Sequence, residues 1–592
     1  MGQNEKAFRQ NDALLNSFFI SKKKFHVLLH YNRLVWEKEN TKGNKIEYVT
    51  SLSISDIIAV KVSRRRKSCR QRSFQNIQHN PGNGGGDGEG VPGPLEASTE
   101  AIDAVTGKEA FFLNVYYAKR MKNSRNSHNR WRQNVVTLYN TDHRIIQLWF
   151  ETLTYLIEDQ KRPKRILMFI NPYGGRKKAL VLYEKHAKPL FQLAGVDVSC
   201  VISQRANQIR DIIMSQSLDQ YDAVCCVGGD GTFAEVFNGL IFRTIKELGM
   251  DTMRPEHIPK PKLPIGIIPA GSTDTVSYCL HGTTDVKTAV IHIILGQKRG
   301  LDLSSVCNSN GLVRLFASVM SYGYLGDVAF ESEKFRWMGP KRYDYSGFKK
   351  LIANNGYEGE IVFQTQQDSS ETDNKDIRCY ADCVRCSKNQ KDNTPTGIKP
   401  LSCKNNNNAS TDSIDYILMT PDIEMERTLS GTQDTNWKII RGQFFMISGA
   451  NISCSCSRSP NGFSPYGHLG DGFIDIIVVR HTTFLNNIRL LLTMVSRNND
   501  IRNLPFVELH RTKKFYFRSQ KPPIDGNSIN GSCQPISATN NKTSQWNCDG
   551  EIIHDSDVLI SSHCQLIDVF TRGPYPMDES NNTTGCCSFC KS

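Results

Sequence analysis

The chain has 592 residues, enough for three or four domains, with 39% hydrophobic and 22% charged residues. That composition excludes a wholly disordered chain, and no apolar run approaches the roughly 20 residues that cross a bilayer, so any membrane contact is expected at the surface. The net charge of +14 is uneven, because residues 1–160 hold 24 Lys+Arg against 16 Asp+Glu, and an anionic partner is favoured.

Within residues 1–160, Phe25 to Tyr31 and Arg33 to Trp36 read as a hairpin, and Phe111 to Tyr117 and Val135 to Tyr139 as later strands. Ile145, Trp149, Leu153 and Leu156 then recur at helical spacing behind the cap residue Asp142. Strands closed by one Trp-bearing helix resemble a pleckstrin-homology domain. Basic clusters lie in its loops: Lys22-Lys23-Lys24, Arg64-Arg65-Arg66-Lys67, and Lys119-Arg120 with Lys122. They are either solvated loop charge or an electrostatic attraction to an anionic membrane surface or phosphoinositides, worth about 1 kcal/mol per basic residue near lipid. Residues 80–94 read as a flexible glycine-rich insertion.

From Ile166 the pattern alternates strand and helix. Strands are expected at Ile166–Ile170, Val196–Ile202, Ala223–Val227 and Pro264–Ile268, with helices at Lys177–Leu193, Ala206–Ser215 and from Thr232. Alternation of this kind implies a parallel α/β lobe, assigned to residues 161–303. Residues 304–575 read as an antiparallel, β-rich second lobe, including Phe515 to Phe517 and Val558 to Ile560. Polar insertions fall at 364–412 and 519–545, and 576–592 reads as a disordered tail. There is no basic-then-apolar secretory signal at the start. Vicinal Cys225 and Cys226 lie in an apolar strand where separate bridges would distort the chain, so reduced cytosolic thiols are expected among the eighteen cysteines.

Three corners follow apolar strands: Asn171-Pro172-Tyr173-Gly174-Gly175, Gly228-Gly229-Asp230-Gly231-Thr232, and Pro269-Ala270-Gly271-Ser272-Thr273-Asp274. Ligands of open parallel sheets sit beyond the strands' carboxyl ends, so the corners should face one crevice. Glycines there admit an anion close to the backbone. A carboxylate among them would repel phosphate, and removing a proton from an attacking hydroxyl is a chemical reason for its presence. Neither a Walker loop nor a Gly-x-Gly-x-x-Gly fingerprint is present.

With Glu235, Asn238-Gly239, Ser318 to Arg342, Ser464-Pro465, Asp471-Gly472 and Asp549-Gly550-Glu551, these corners resemble the diacylglycerol kinase / sphingosine kinase superfamily of lipid kinases. The match is to its ceramide-phosphorylating branch in Cys379–Cys386, in Asn451–Cys456 with Arg458-Ser459-Pro460, and in Ser544–Glu551. The resemblance implies an ATP- and Mg2+-dependent kinase acting on the primary hydroxyl of ceramide. A diacylglycerol or sphingoid-base kinase is the alternative, and a catalytically silent lipid binder is a third case. It implies that Asp230 is the general base, with Glu551 the rival candidate. Asn171, Pro172, Gly174, Gly175, Gly231, Thr232, Gly271, Ser272, Thr273 and Gly550 would line the nucleotide with Glu235 nearby. Arg336 and Arg342 would reach its phosphates, and Asp549 and Glu551 would complete the nucleotide and magnesium environment. Gly228, Gly229, Asp230, Gly231 and Asp327 would meet the lipid head. Sphingosine-phosphorylating members carry an Asp where Ala329 stands, which suits a neutral amide substrate better than an amine. A silent relative is expected to have lost parts of the phosphate corners, and here they are intact. The resemblance also implies a peripheral association with Golgi or plasma membrane, leaves regulation by Ca2+ open, and gives no reason to expect a nucleic-acid partner.

Other residues are less telling. Cys379, Cys383 and Cys386 are either idle thiols or three ligands of a zinc set whose fourth, Cys403 or a distant His, is not at standard spacing. Cys586, Cys587 and Cys590 lack the basic or amphipathic flank that accompanies acylation. Ile488, Leu491, Leu492 and Val495 are assigned to core packing, and His468 and His481 are read as ordinary.

Overall fold

The computed structural model describes residues 13–30, 32–38, 50–64, 111–121, 129–175, 177–339, 341–365, 376–392, 437–496, 500–519 and 543–576, with only the backbone described for Arg336 and residues 389–392. Arg65, Arg66, Lys67, Lys122, Cys403, the 80–94 insertion, most of both polar insertions and residues 577–592 lie outside them. Two units form, Met1–Lys119 with Arg132–Arg162 and Arg120–Trp131 with Pro163–Ser592.

The first unit holds strands β1 (Leu14–Ile20), β2 (Lys23–His30), β3 (Arg33–Lys38), β4 (Thr50–Ser53), β5 (Ile57–Arg64), β6 (Phe111–Arg120) and β7 (Trp131–Asn140) in the order β4-β3-β2-β1-β7-β6-β5. Alternation drives the pairing: Val27 and Leu29 of β2 and Leu34 and Trp36 of β3 turn inward. Ser21 and Lys22 turn the β1–β2 hairpin with φ of 46° and 68°, the primed geometry that suits twisted strands. Lys22, Lys23 and Lys24 are exposed there. Helix His143–Asp159 closes the sheet. Asp142 caps it by accepting the Arg144 amide at 2.9 Å. Trp149 is fully buried, edge-on to Phe18 at 5.2 Å, and its indole donates to Asn16 Oδ1 at 2.7 Å.

In the second unit β8 (Arg165–Ile170), β9 (Asp197–Ile202), β10 (Ala223–Gly228) and β11 (Ile265–Pro269) run parallel in the order β11-β10-β8-β9. All of β10 is buried, as a central strand covered on both faces requires. Cys225 and Cys226 are free thiols within it. The helix after β10 spans Asp230–Glu247, starting two residues before the expected Thr232, so Asp230 belongs to the helix's first turn.

The remaining strands are β12 (Lys298–Asn308), β13 (Gly311–Phe316), β14 (Val319–Gly323), β15 (Tyr357–Gln364), β16 (Trp437–Ala450), β17 (Ile474–Arg480), β18 (Val507–Thr512), β19 (Lys514–Ser519), β20 (Trp546–Cys548), β21 (Glu551–Ile553) and β22 (Val558–Phe570). One sheet runs β21-β20-β14-β16-β15-β19-β22-β11-β10-β8-β9, with β12 on β22 and β17 on β16. Late strand β22 pairs parallel to β11 through Ile265 and Val569, so both lobes share this sheet.

Within the β-rich region expected over residues 304–575 lie also the helices Tyr324–Ser332, Lys341–Ala353, Val384–Asp392 and Phe484–Val495. Helix Lys341–Ala353 buries only Ser346 and Leu351 and exposes Tyr343, Tyr345, Phe348 and Ile352, so it lacks an apolar stripe facing a core. In Phe484–Val495, Ile488 and Leu491 pack on the core but Leu492 and Val495 are exposed, which corrects half of that assignment. His468 is not ordinary: it is buried, with Nδ1 3.1 Å from Cys383 Sγ.

Candidate active site

The three corners converge. A Cβ built on Gly229 would sit 3.1 Å from Gly271 Cα, and one on Gly271 would sit 2.6 Å from Gly229 Cα. Gly175, at φ +53°, would place a Cβ 2.5 Å from the Gly271 carbonyl carbon. Backbone therefore meets backbone, and only glycine fits. The corners are pinned by side chains. Asn171 donates to Thr232 Oγ1 at 3.0 Å and accepts the Tyr173 and Gly174 amides at 3.0 and 3.2 Å. Asp274, in the left-handed conformation at φ 54°, accepts the Gly271 amide at 2.8 Å. Pro172 and Gly174 are half-buried, while Ser272 and Thr273 stand exposed on the rim.

Asp230 turns its carboxylate to the start of helix Thr275–His281, Oδ2 accepting the Thr275 amide at 3.0 Å and Oδ1 the Val276 amide at 2.9 Å. Burial pushes its carboxyl up to about 6; the Asp549 charge adds to this and the two amides oppose it. The Thr275 side chain bonds the carboxylate as well, and the lone-pair capacity that remains can accept a hydroxyl proton.

The far end of the chain lies against this corner. A Cβ on Gly231 would meet the Asp549 carbonyl oxygen at 3.7 Å. Asp549 is buried at φ 47° and accepts the Ala317 amide at 2.6 Å, the Ser318 amide at 3.1 Å, the Val319 amide at 3.2 Å and the Ser318 hydroxyl. Burial raises its pKa against those donors. Asp549→Asn would turn an NH2 toward amides that need an acceptor. It is expected to destabilise the fold by about 2–3 kcal/mol, measured by chemical denaturation. Gly550 follows at φ +94°, and Glu551 pairs with Arg314 Nη1.

Glu235 faces the Asn207 and Ile209 amides, its carboxyl raised by burial, and its Oε2 is buried without a hydrogen-bond partner. Asn238 is structural: it accepts the Leu315 amide at 2.9 Å and donates to the Leu315 carbonyl at 3.0 Å, tying its helix to β13.

The family signature described as diacylglycerol kinase catalytic domain matches residues 165–306, ceramide kinase PH domain matches 14–153, and ceramide kinase C-terminal domain matches 398–590. Ceramide kinase of Mus musculus is 37% identical over 78% of this chain and 84% of its own length, and that of Homo sapiens is 34% identical over 75% and 80%. The chain belongs to the ceramide kinase family. These are lipid kinases. The human ceramide kinase-like protein is also similar, at 25% identity over 75% of each chain.

Of the residues singled out in sequence, Asn171, Gly174, Gly175, Gly228, Gly229, Asp230, Gly231, Thr232, Gly271 and Asp549 fall in one mutually contacting group. Asp327 sits in another, accepting the Tyr357 hydroxyl and, at 2.5 Å, the Ser544 hydroxyl, with Lys350 Nζ 3.7 Å away. Arg342 is held by Glu333 at 2.9 Å and by the Tyr343 hydroxyl at 2.7 Å. The Arg336 side chain is outside the described set. In sequence Asp274 is only the last residue of the third corner, with no role given; it precedes helix Thr275–His281 without a side-chain cap bond to it and holds the Gly271 amide instead. One residue was missed outright. Arg314 lies in an ordinary strand 237 residues from its partner Glu551, and nothing local marks it.

Among the described residues no helix is long and apolar enough to cross a membrane.

Proposed function

We propose that this chain transfers the γ-phosphoryl group of ATP to the primary hydroxyl of ceramide, giving ceramide 1-phosphate. The observation that carries this reading is the convergence of Gly175, Gly229, Gly271 and the Asp549 segment around Asp230, in a chain of this family. A Cβ on Gly175, Gly229 or Gly271 would strike the facing corner, so the corners can meet only as bare backbone at the strands' carboxyl ends, a setting that suits a polyphosphate. Asp230 takes the proton of the lipid hydroxyl as that oxygen attacks phosphorus. A carboxylate poised at about 6 is largely ionised at neutral pH yet still basic enough to accept it. Asp549 holds the 317–319 turn over the corner, and Glu551 is engaged by Arg314, which favours Asp230 as base.

Mg2+ bound with the nucleotide would supply charge neutralisation on the phosphate oxygens. Of the local carboxylates, Glu235 retains a buried acceptor without a partner, so Glu235 and Asp230 are the groups that would face the ion. Arg336 and Arg342 would neutralise phosphate charge, Arg342 after leaving Glu333. Asp327, with Tyr357 and Ser544, would orient the lipid's polar head. Tyr345, Phe348 and Ile352, at positions i, i+3 and i+7, put exposed apolar groups on one helix face, suited to acyl chains.

Residues 1–160 would serve as the membrane-targeting domain, 161–303 as the nucleotide lobe and 304–575 as the second catalytic lobe. The exposed Lys22, Lys23 and Lys24 would meet an anionic or phosphoinositide-bearing surface at the cytoplasmic side. Changing all three to Gln is expected to weaken binding to anionic vesicles about 100-fold, measured by co-sedimentation. Binding indifferent to anionic lipid would contradict the targeting role.

The substrate is tested with γ-labelled Mg·ATP and vesicles carrying ceramide, sphingosine or diacylglycerol. Label is expected in ceramide 1-phosphate. Preference for another lipid reassigns the substrate, and absence of any lipid product from folded protein removes the kinase reading in favour of a silent lipid binder.

A further inference from the structure

We propose that Cys379, Cys383, Cys386 and His468 form a structural zinc site. One ligand atom from each lies within 4.8 Å of every other. Cys379 Sγ and Cys386 Sγ are 3.7 Å apart, and Cys383 Sγ is 3.1 Å from His468 Nδ1. A tetrahedral ion with Zn–S bonds of about 2.3 Å separates its sulfurs by about 3.8 Å, and its sulfur–nitrogen edges are somewhat shorter. The sulfur pair already has that spacing, which is far longer than the roughly 2.05 Å of a disulfide. Binding would lengthen the Cys383–His468 contact by a few tenths of an ångström and draw the other edges, all within 4.8 Å, toward the tetrahedral spacing.

The chemistry of the donors selects the metal. Three thiolates and one imidazole are soft and borderline ligands that suit zinc and not the oxygen-seeking Mg2+ or Ca2+. Cys383, Cys386 and His468 are each less than a tenth exposed. Four protein ligands leave no open position, so the ion would be structural and not catalytic.

The elements that present the ligands are anchored. Gln565 of β22 donates to the Cys386 carbonyl at 2.8 Å, and its own amide is held by Asp302 of β12 at 2.6 Å. Arg299 of β12 donates to the Tyr380 carbonyl at 3.1 Å. His468 comes from the connection between β16 and β17, 85 residues from Cys383. Ser453 and Ser455 of that same connection contact Cys279 Sγ at 3.4 and 3.7 Å. Cys279 belongs to helix Thr275–His281, whose first amides hold Asp230. The ion would therefore clamp the Cys379–Cys386 segment to a connection that buttresses the catalytic corner, and the free energy of metal binding would stabilise that junction.

The test is metal content of the full chain, purified under reducing conditions without added chelator, by plasma mass spectrometry. About one zinc per chain is expected. His468→Ala and Cys383→Ser are expected to lose it, whereas His468→Cys keeps it by completing a four-thiolate set. Co2+ exchanged into the wild-type chain should give the visible absorption of a tetrahedral thiolate complex. Wild-type protein without zinc would overturn the proposal whatever the variants do. So would a Cys379–Cys386 disulfide found by peptide mapping of that protein. Full zinc retained by soluble His468→Ala would remove His468 from the set.

Discussion

Asp230→Asn is expected to lower kcat for lipid phosphorylation about 1,000-fold, roughly 4 kcal/mol of transition-state stabilisation, while ATP affinity changes by less than about three-fold. The isosteric amide keeps the shape of the corner but accepts no proton. Stability effects oppose one another. Burial raises the folded carboxyl from 3.8 to about 6, so the ionised form disfavours folding at neutral pH, and this group alone stabilises the fold as pH falls from about 6 toward 3.8. Asn removes that penalty but loses one of the two amide bonds to Thr275 and Val276. The two changes offset, and Tm should move by no more than about 4 °C. Loss of activity with loss of fold would assign Asp230 a capping role alone.

Gly271→Ala is expected to weaken ATP binding at least about 100-fold, read by calorimetric titration. Its Cβ would sit 2.6 Å from Gly229 Cα and 2.7 Å from Asp274 Oδ1, against backbone on one side and the carboxylate that holds its own amide on the other. Neither neighbour can yield without opening the crevice. Gly249→Ala is the control, since Gly249 has φ +73° and open space around it. It should cost only about 1 kcal/mol of left-handed strain and leave ATP affinity unchanged. Equal effects from both substitutions would mean that close packing of the corners does not matter for nucleotide.

The α/β lobe was legible because its strands are buried on both faces and its turns are marked by glycine: Ile166–Ile170 and Ala223–Val227 leave no alternative to a central parallel sheet. The sheet of the first unit was legible from alternation, and Trp149 marked the helix that closes it. The helices around Asp327 escaped notice because the shorter one buries only Tyr324 and Val328 of its apolar stripe while the longer one turns most of its apolar residues outward. Phe330, Phe348 and Ile352 are exposed, so the spacing that reports burial is absent. The continuity of the sheet also escaped, because β11 meets β22 across some 300 residues and strand pairing leaves no local trace. Within the site, the glycines and Asp230 announce themselves by being out of place in apolar sequence. Arg314 and His468 do not, because each acquires its role from a partner distant in the chain.

The most direct test is the single-turnover rate of γ-phosphate transfer from Mg·ATP to vesicle-bound ceramide, followed from about pH 5 to 8 in the wild-type chain and in Asp230→Asn. The wild-type rate should be flat near neutrality and fall about ten-fold per pH unit below about 6, and the variant should be slow throughout and lack that limb. A folded wild-type chain that binds ATP yet labels no lipid, or an Asp230→Asn chain that keeps both the rate and the pH limb, would contradict the assignment of Asp230 as the base of a ceramide-phosphorylating enzyme.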